Sequence, residues 1–244
     1  YLAKVKHAPI LIVNKSSAKD ISAYVKKNAS ENANVYIIGG EDVVSKEIAD
    51  MMPGKKHRLE GETRFETNLK VLKAAGVQGE DIALCNAYNF ADALSASAAG
   101  KPIMLVGNKL SDAQTAYLKT LNSKKFYLIG GSDVVSKNVE NTVSKLGKVE
   151  RLEGADRFAT SRIVAEKFFA GEHRKAYLTY GLNFPDGLCA GVLCTVDNSP
   201  LLLVSNTNMT EAGAYIKKAK VQKCFVLGGA DLISNESANN LLKK

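Results

Sequence analysis

The sequence predicts an α/β fold made of tandem small domains, each a doubly wound parallel sheet of the Rossmann-like or flavodoxin-like kind. Three observations support this class. Blocks of sequence recur at a nearly constant period. Continuous apolar runs have the length of strands that are buried on both faces. Helical segments of about ten to fifteen residues separate those runs, as expected when helices cover a parallel sheet.

Four kinds of block recur in the same order along the chain. RLEGETRFET begins at Arg58 and RLEGADRFAT at Arg151, 93 residues later (151 − 58). NFADALSAS begins at Asn89, and NFPDGLCAG begins 94 residues later (183 − 89). Proline-led apolar runs and strand-like runs that end in Gly-Gly each occur three times. The blocks predict the C-terminal half of a first repeat over 1–57, a second repeat over 58–149 and a third over 150–244.

The first repeat begins part-way through the pattern that the second and third repeats share. YLAKVKHAPIL aligns with SAAGKPIML of the second repeat, so Tyr1 is expected to fall inside a helix. We therefore expect the natural chain to extend upstream.

The second repeat shows the elements in order. FETNLKVLKAAG has helical spacing and stops at a glycine, and DIALCNAYNF is a short apolar strand that leads into the helix ADALSASAAG. PIMLVG is a strand, SDAQTAYLKTLN a Ser-capped helix, and KKFYLIGG another strand. SKNVENTVSKLG is a Ser-capped helix closed by glycine, and VERLEG is the last short strand.

Three strand-like runs end in two glycines, and an acid and a serine follow each pair. Glycines between a strand and a helix N-terminus can present backbone N–H groups to an anion or a sugar. They also form tight turns, and no copy has the G-x-G-x-x-G or Gly-Lys-Ser/Thr pattern of a nucleotide site. Both interpretations stay open for Gly39, Gly40, Gly130, Gly131, Gly228 and Gly229.

Polar residues stand at two further predicted junctions between a strand and a helix. They are Asn89 and Asp92 in the second repeat, and Asn183 and Asp186 in the third. A carboxylate in the first turn of a helix is stabilised by the helix dipole by about 0.3–1 kcal/mol, which accounts for the aspartates. The asparagines are left unexplained, and strand ends would direct them into the crevice at the carboxyl edge of the sheet.

Each RFxT block places an arginine directly before a predicted helix. Arg64 and Arg157 can form two parallel hydrogen bonds to a carboxylate or a phosphate. A polyanionic ligand is one partner that fits. An ion pair with Asp92, Asp186 or an acid of the neighbouring repeat is the other.

Composition narrows the classes of partner. The net charge of +8 favours acidic partners, which include nucleic acid, anionic lipid and acidic polysaccharide. The lysines are scattered and tryptophan is absent, so no nucleic-acid partner is expected. No apolar run approaches the roughly 18 residues that span a bilayer. No secretory leader starts the sequence, so any secretion signal is expected outside it.

Catalytic and metal-binding patterns are not found in the sequence. The four cysteines form no Cys-x-x-Cys pair, and the three histidines are far apart. No Gly-x-Ser-x-Gly elbow or zinc motif accompanies the Asn-Asp pairs. We therefore expect no catalytic residue, no metal and no cofactor.

Together the blocks resemble the cell wall-binding type 2 repeat of surface proteins from clostridia and related Gram-positive bacteria. The similarity covers essentially the whole chain. Ala91 departs from the proline usual in the family, and the third repeat has Gly187, Cys189 and Gly191 where the second has Ala93, Ser95 and Ser97. The resemblance implies three repeats in a pseudo-threefold arrangement, on a secreted protein at the cell wall and cell surface.

The resemblance also implies a ligand and a site for it. The ligand is an anionic secondary wall polymer, teichoic-acid-like or a phosphorylated polysaccharide, and attached effector modules supply other activities. The proline-led runs are the expected recognition elements: Pro9, Ile10, Leu11, Pro102, Ile103, Met104, Pro200, Leu201 and Leu202. Because these residues also form apolar strands, we expect the polymer to contact the strand ends and flanking polar groups.

The leading hypothesis is a non-catalytic anchoring module. It would hold the polymer through backbone N–H groups and basic side chains at the strand ends. A surface-layer lattice or interaction module is one alternative, and a nucleotide- or phosphosugar-processing enzyme is another.

Overall fold

A computed structural model describes residues 1–243 of the chain and contains two compact units. The smaller unit is Leu11–Gly76, and the larger joins Tyr1–Ile10 to the chain from Val77 onward. In both units parallel strands alternate with helices, which confirms the predicted α/β class with parallel sheets. The first helix, α1 (Leu2–Lys6), belongs to the larger unit.

The smaller unit contains a two-stranded parallel sheet. Val35 pairs with Lys56 in its register, and a cluster around Ala18, Ile48 and Met52 forms its core. The Ser45 side chain caps the third helix by accepting a hydrogen bond from the Ile48 N–H. Its elements are α2 (Ala18–Asn28), β1 (Asn34–Ile38), α3 (Lys46–Met51), β2 (Lys55–Leu59) and α4 (Arg64–Ala74).

The second repeat forms a four-stranded parallel sheet in the larger unit. Its strand order is β4-β3-β5-β6, and the four residues 82–85 of β3 are at most 1% exposed. A strand covered on both faces is what the continuous apolar run predicts. The elements are β3 (Ile82–Asn86), α5 (Phe90–Ser97), β4 (Ile103–Val106), α6 (Asp112–Thr120), β5 (Lys125–Ile129), α7 (Lys137–Val143) and β6 (Lys148–Leu152).

The third repeat forms a three-stranded parallel sheet in the same unit. Its order is β8-β7-β9, and all four residues of β8 are buried. The predicted helix of the NFPDGLCAG block is divided at Cys189 into two short helices. The elements are α8 (Arg157–Phe168), β7 (Lys175–Tyr180), α9 (Pro185–Leu188), α10 (Ala190–Val196), β8 (Leu201–Val204), α11 (Thr210–Lys218), β9 (Lys223–Leu227) and α12 (Asn235–Asn240).

The unusual glycines of the third repeat are explained by helix packing. A Cβ atom added to Gly187 would lie 3.0 Å from Leu94 Cδ1 of α5. One added to Gly191 would overlap the Ser97 side chain. Glycine therefore lets α9 and α10 approach α5 closely, and this contact joins the second and third repeats.

One predicted strand is wrong. The proline-led run that starts at Pro9 has no regular secondary structure over 8–14, and its Ile12 is 43% exposed. The equivalent strands β4 and β8 each pair with the strand that precedes them in their repeat, β3 and β7. Among residues 1–243 no strand pairs with the run at Pro9, whose backbone groups therefore have no ladder partner there.

Candidate functional site

The three Gly-Gly pairs form turns at the carboxyl ends of strands. Gly39, Gly130 and Gly228 have φ of 110°, 103° and 123°, a conformation that favours glycine. The Gly130 N–H donates to the Leu152 carbonyl at 2.9 Å and so continues the ladder of the sheet. The carbonyl of the second glycine in each pair accepts two later N–H groups that close the turn. The turn therefore accounts for the first glycine of each pair, and the second residue closes the turn through its carbonyl.

Carboxylates of the protein itself lie against these glycines. A Cβ atom on Gly130 would be 2.7 Å from Asp92 Oδ2, and one on Gly228 would be 2.8 Å from Asp186 Oδ2. Asp133 Oδ1 is similarly placed at Gly131. Because like charges repel, these carboxylates disfavour a further anion at the same glycines. Polymer binding at the Gly-Gly pairs stays a prediction.

Asp92 is the most perturbed carboxyl group at this edge. It is only 4% exposed, and its burial raises its pKa from 3.8 to about 6. The Arg157 guanidinium lowers this pKa and Asp133 raises it, but both effects are smaller than that of burial. A charged Asp92 is therefore costly in the folded state near neutral pH.

The RLEGxxRFxT block joins a strand to the helix that follows. The Arg151 guanidinium donates to the Gly130 carbonyl at 2.8 Å, and Arg58 makes the same bond to Gly39. The Gly154 N–H donates to Thr160 Oγ1 at 3.0 Å, and a Cβ at Gly154 would overlap the backbone of α8. These structural roles were not predicted, although the repetition of the block was the signal for them.

The predicted asparagines bond to neighbouring backbone groups, and Arg157 has partners elsewhere in the larger unit. Arg157 donates to the Gly181 carbonyl at 2.9 Å and lies 5.5 Å from the Phe90 ring centre. Asn89 caps α5 by accepting the Ala91 N–H. Asn183 accepts the N–H of the next residue, and Arg64 is exposed at the start of α4. Capping explains Asn89, which the sequence left unexplained.

The proline-led runs differ in accessibility. Pro102, Met104, Pro200, Leu201 and Leu202 are buried, and Ile103 is partly buried, whereas Pro9, Ile10 and Leu11 are exposed. Direct contact of the buried side chains with a polymer would require the sheets to open. Contact through flanking residues stays a prediction for these two runs.

No group of three or more His, Cys, Asp or Glu side chains within 1–243 is arranged to hold a metal ion. Burial raises the pKa of the Cys85, Cys194 and Cys224 thiols, so these cysteines are protonated at neutral pH. Among the described helices, none has the length and apolar character needed to cross a membrane.

Comparison with known proteins assigns nearly the whole chain to one family of domains. A family model described as Cell wall binding domain 2 (CWB2) matches residues 1–49, 58–140 and 151–238. The amidase enhancer of Bacillus subtilis (strain 168) is 28% identical over 250 residues, covering 98% of this chain and 34% of that protein. The N-acetylmuramoyl-L-alanine amidase LytC of the same strain is 26% identical over 191 residues, covering 75% and 38%.

Two solved structures from Clostridium difficile are similar in fold. Cwp8 has a TM-score of 0.85 and 27% identity, covering 100% of this chain and 44% of that chain. Cwp6 has a TM-score of 0.82 and 24% identity, covering 99% and 41%. The chain thus spans little more than a third of its curated relatives and less than half of these solved chains.

Proposed function

The chain belongs to the Cell wall binding domain 2 family, and from this premise we propose that it is a non-catalytic module that anchors a protein to an anionic wall polymer. The family match over three stretches carries this proposal. It supports binding to the cell wall and a location at the cell wall and surface. The anionic nature of the polymer is inferred from the net charge of +8.

We propose that enzymatic activity of the native protein resides in attached modules. The similarity to the amidase enhancer supports a non-catalytic role for this region. The similarity to LytC covers 38% of that amidase, so it does not assign the named activity to the matching part. We also propose that the protein is secreted and that its ligand is a teichoic-acid-like polymer or a phosphorylated polysaccharide. The proposed repeats span 1–57, 58–149 and 150–244.

Packing within the larger unit supports a pseudo-threefold arrangement of doubly wound repeats. Helices α1, α5 and α10 occupy corresponding places in the three repeats, and α10 packs against both of the others. Lys4 Nζ of α1 donates to the Gly100 carbonyl beyond α5 at 2.8 Å. Thr195 Oγ1 of α10 donates to the Ala98 carbonyl at 3.3 Å. These bonds link three equivalent helices at their C-terminal ends.

Sedimentation with purified cell walls tests the function. Walls of Clostridium difficile would be compared before and after hydrofluoric acid extraction, which removes phosphodiester-linked polymers. We expect binding to untreated walls and its loss after extraction. We also expect weaker binding as salt rises from about 0.1 to 1 M, because the Debye length falls from about 10 to 3 Å. Equal binding to both wall preparations would contradict an anionic polymer as the ligand.

A further inference from the structure

The two edges of the parallel sheets in the larger unit carry different charges. Parallel strands all end at one edge, so their flanking residues collect there. The carboxyl edge is rich in acids, namely Asp92, Asp133, Glu153, Asp186 and Asp231. The amino edge is rich in lysines, namely Lys101, Lys125, Lys148, Lys175 and Lys223. Lys109, Lys137 and Arg157 also lie at the carboxyl edge, and Asp81 and Asp197 at the amino edge, but at each edge these charges are the minority. An approaching anion is therefore attracted more to the amino edge than to the carboxyl edge.

A cavity of about 360 Å³ lies at the amino edge. The C-terminal ends of α5, α8 and α10 surround it, and Lys4 of α1 and Lys101 before β4 contribute charged walls. Phe168 supplies an apolar wall, and Thr195 and Asn198 supply polar ones. The cavity combines cations, an aromatic face and hydrogen-bonding groups, which suit an anionic sugar. Its lysines also offset the partial negative charge of the surrounding helix C-termini.

Further lysines adjoin this cavity around one tyrosine ring. The ammonium groups of Lys101, Lys125 and Lys167 lie 5.7, 4.8 and 5.8 Å from the centre of the Tyr127 ring. Phe168 of the cavity wall packs edge-on against the same ring, with 4.9 Å between the ring centres. We call Lys4, Lys101, Lys125 and Lys167 the lysine cluster.

The lysine cluster has more positive charge than its partners neutralise. Glu150 pairs with both Lys125 and Lys167, at 2.5 and 2.7 Å, and Asp81 lies 3.4 Å from Lys101. Lys4 has no carboxylate within 4.0 Å among residues 1–243. Glu80 also interacts with Lys4, so four lysines face three carboxylates, which leaves a local excess of one positive charge.

A purely structural role explains only part of this arrangement. Cations stabilise helix C-termini, and the bond from Lys4 to the Gly100 carbonyl is of this kind. That bond uses one of three ammonium donors. Contacts of Lys101 with the Tyr127 and Phe168 rings leave its ammonium beside the cavity.

We propose that the cavity binds the anionic group of a wall saccharide, a phosphodiester phosphate or a carboxylate. Lys4 and Lys101 hold the charge, and Phe168 packs against the sugar ring. Thr195 Oγ1 donates its proton to backbone carbonyls and therefore accepts a hydrogen bond from a sugar hydroxyl, and Asn198 also hydrogen-bonds the sugar. Lys125 and Lys167 attract the neighbouring negative charges of the polymer. This assignment rests on the proposed function and places the ligand at the edge opposite the Gly-Gly turns.

Charge-neutral variants of the full chain test the site. The variant K4Q/K101Q removes both cavity lysines, and K109Q/K137Q removes the same charge from the carboxyl edge, where both lysines are exposed. We expect K4Q/K101Q to bind untreated walls about tenfold more weakly than the wild type, and K109Q/K137Q to bind within about twofold of it. K4R/K101R, which keeps the charge, should retain most of the binding. Thermal unfolding would confirm that each variant is folded.

A second measurement uses the wild type alone and separates the two edges. Inorganic phosphate would be titrated while backbone amide resonances are followed by NMR. We expect shifts at Lys101, Thr195 and Asn198, and little change at Gly130 and Gly131. If only the amide resonances of Gly130 and Gly131 shift, the assignment of the site is wrong. This result does not depend on whether the variants fold.

The remaining outcomes are also decisive. If K4Q/K101Q and K109Q/K137Q weaken binding to the walls equally, the effect is due to net charge alone and the proposed site is wrong. If K4Q/K101Q binds the walls as strongly as the wild type, the proposed site is wrong but the proposed function stands. Failure of the wild type to bind walls would overturn the proposed function itself. Hydrofluoric acid extraction and carbodiimide amidation of the walls distinguish a phosphate from a carboxylate ligand.

Discussion

Replacing Gly154 by alanine should destabilise the larger unit by about 3 kcal/mol or prevent its folding. A Cβ at this position would lie 2.5 Å from the Ala159 carbonyl carbon and 2.6 Å from the Thr160 nitrogen. These are backbone atoms of α8, so no side-chain rotation relieves the overlap. The substitution would also disturb the bond from the Gly154 N–H to Thr160 Oγ1. Thermal unfolding followed by circular dichroism should show a decrease of roughly 6–12 °C.

Gly213→Ala is the matched control for this prediction. Gly213 lies inside α11, and the only close neighbour of an added Cβ is the end of the Leu241 side chain at 3.3 Å. Alanine is favoured over glycine inside a helix by about 0.5–1 kcal/mol, so we expect unchanged or slightly higher stability. A Gly154→Ala protein as stable as Gly213→Ala would show that the start of α8 tolerates displacement.

Replacing Asp92 by asparagine should stabilise the folded state at pH 7.5 by about 2–3 kcal/mol. Burial raises the pKa of this carboxyl from 3.8 to about 6. A carboxyl with a raised folded-state pKa stabilises the protein fully below pH 3.8, and this contribution is lost as the pH rises through about 6. The neutral amide removes that loss while nearly preserving the shape of the side chain.

Urea unfolding at pH 5 and pH 7.5 measures this effect. The difference in unfolding free energy between the two pH values should be smaller in Asp92→Asn than in the wild type. The same substitution at the exposed Asp112 controls for the loss of one surface carboxylate. A destabilised Asp92→Asn protein at pH 7.5 would mean that attraction to Arg157 outweighs the cost of burial.

Repetition and hydrophobic periodicity were enough to predict most of the fold. The continuous apolar run of β3 predicted a strand buried on both faces, and residues 82–85 are at most 1% exposed. The serines at 111 and 136 predicted helix N-termini, and both accept the expected capping hydrogen bonds. These features are local, because a strand or a cap is determined by residues close together in the sequence.

The strand at Pro9 was predicted wrongly for a tertiary reason. Its apolar composition equals that of β4 and β8, but a strand also requires a neighbour whose backbone groups complete the ladder. Both β4 and β8 have such a neighbour, whereas no strand within residues 1–243 pairs with the run at Pro9. The composition of a run does not show whether a neighbouring strand is present to pair with it.

The sequence by itself determined the class, the repeats and the family of this protein. Period and order are found by comparing the sequence with itself, and the alternation of strands and helices follows from local hydrophobic patterns, so none of them requires knowledge of the fold. The charges of the two sheet edges were decided only by the tertiary structure. Lys4 and Lys101 are 97 positions apart (101 − 4), and Asn198 is a further 97 from Lys101 (198 − 101). They share one cavity only because the C-terminal ends of three helices meet there.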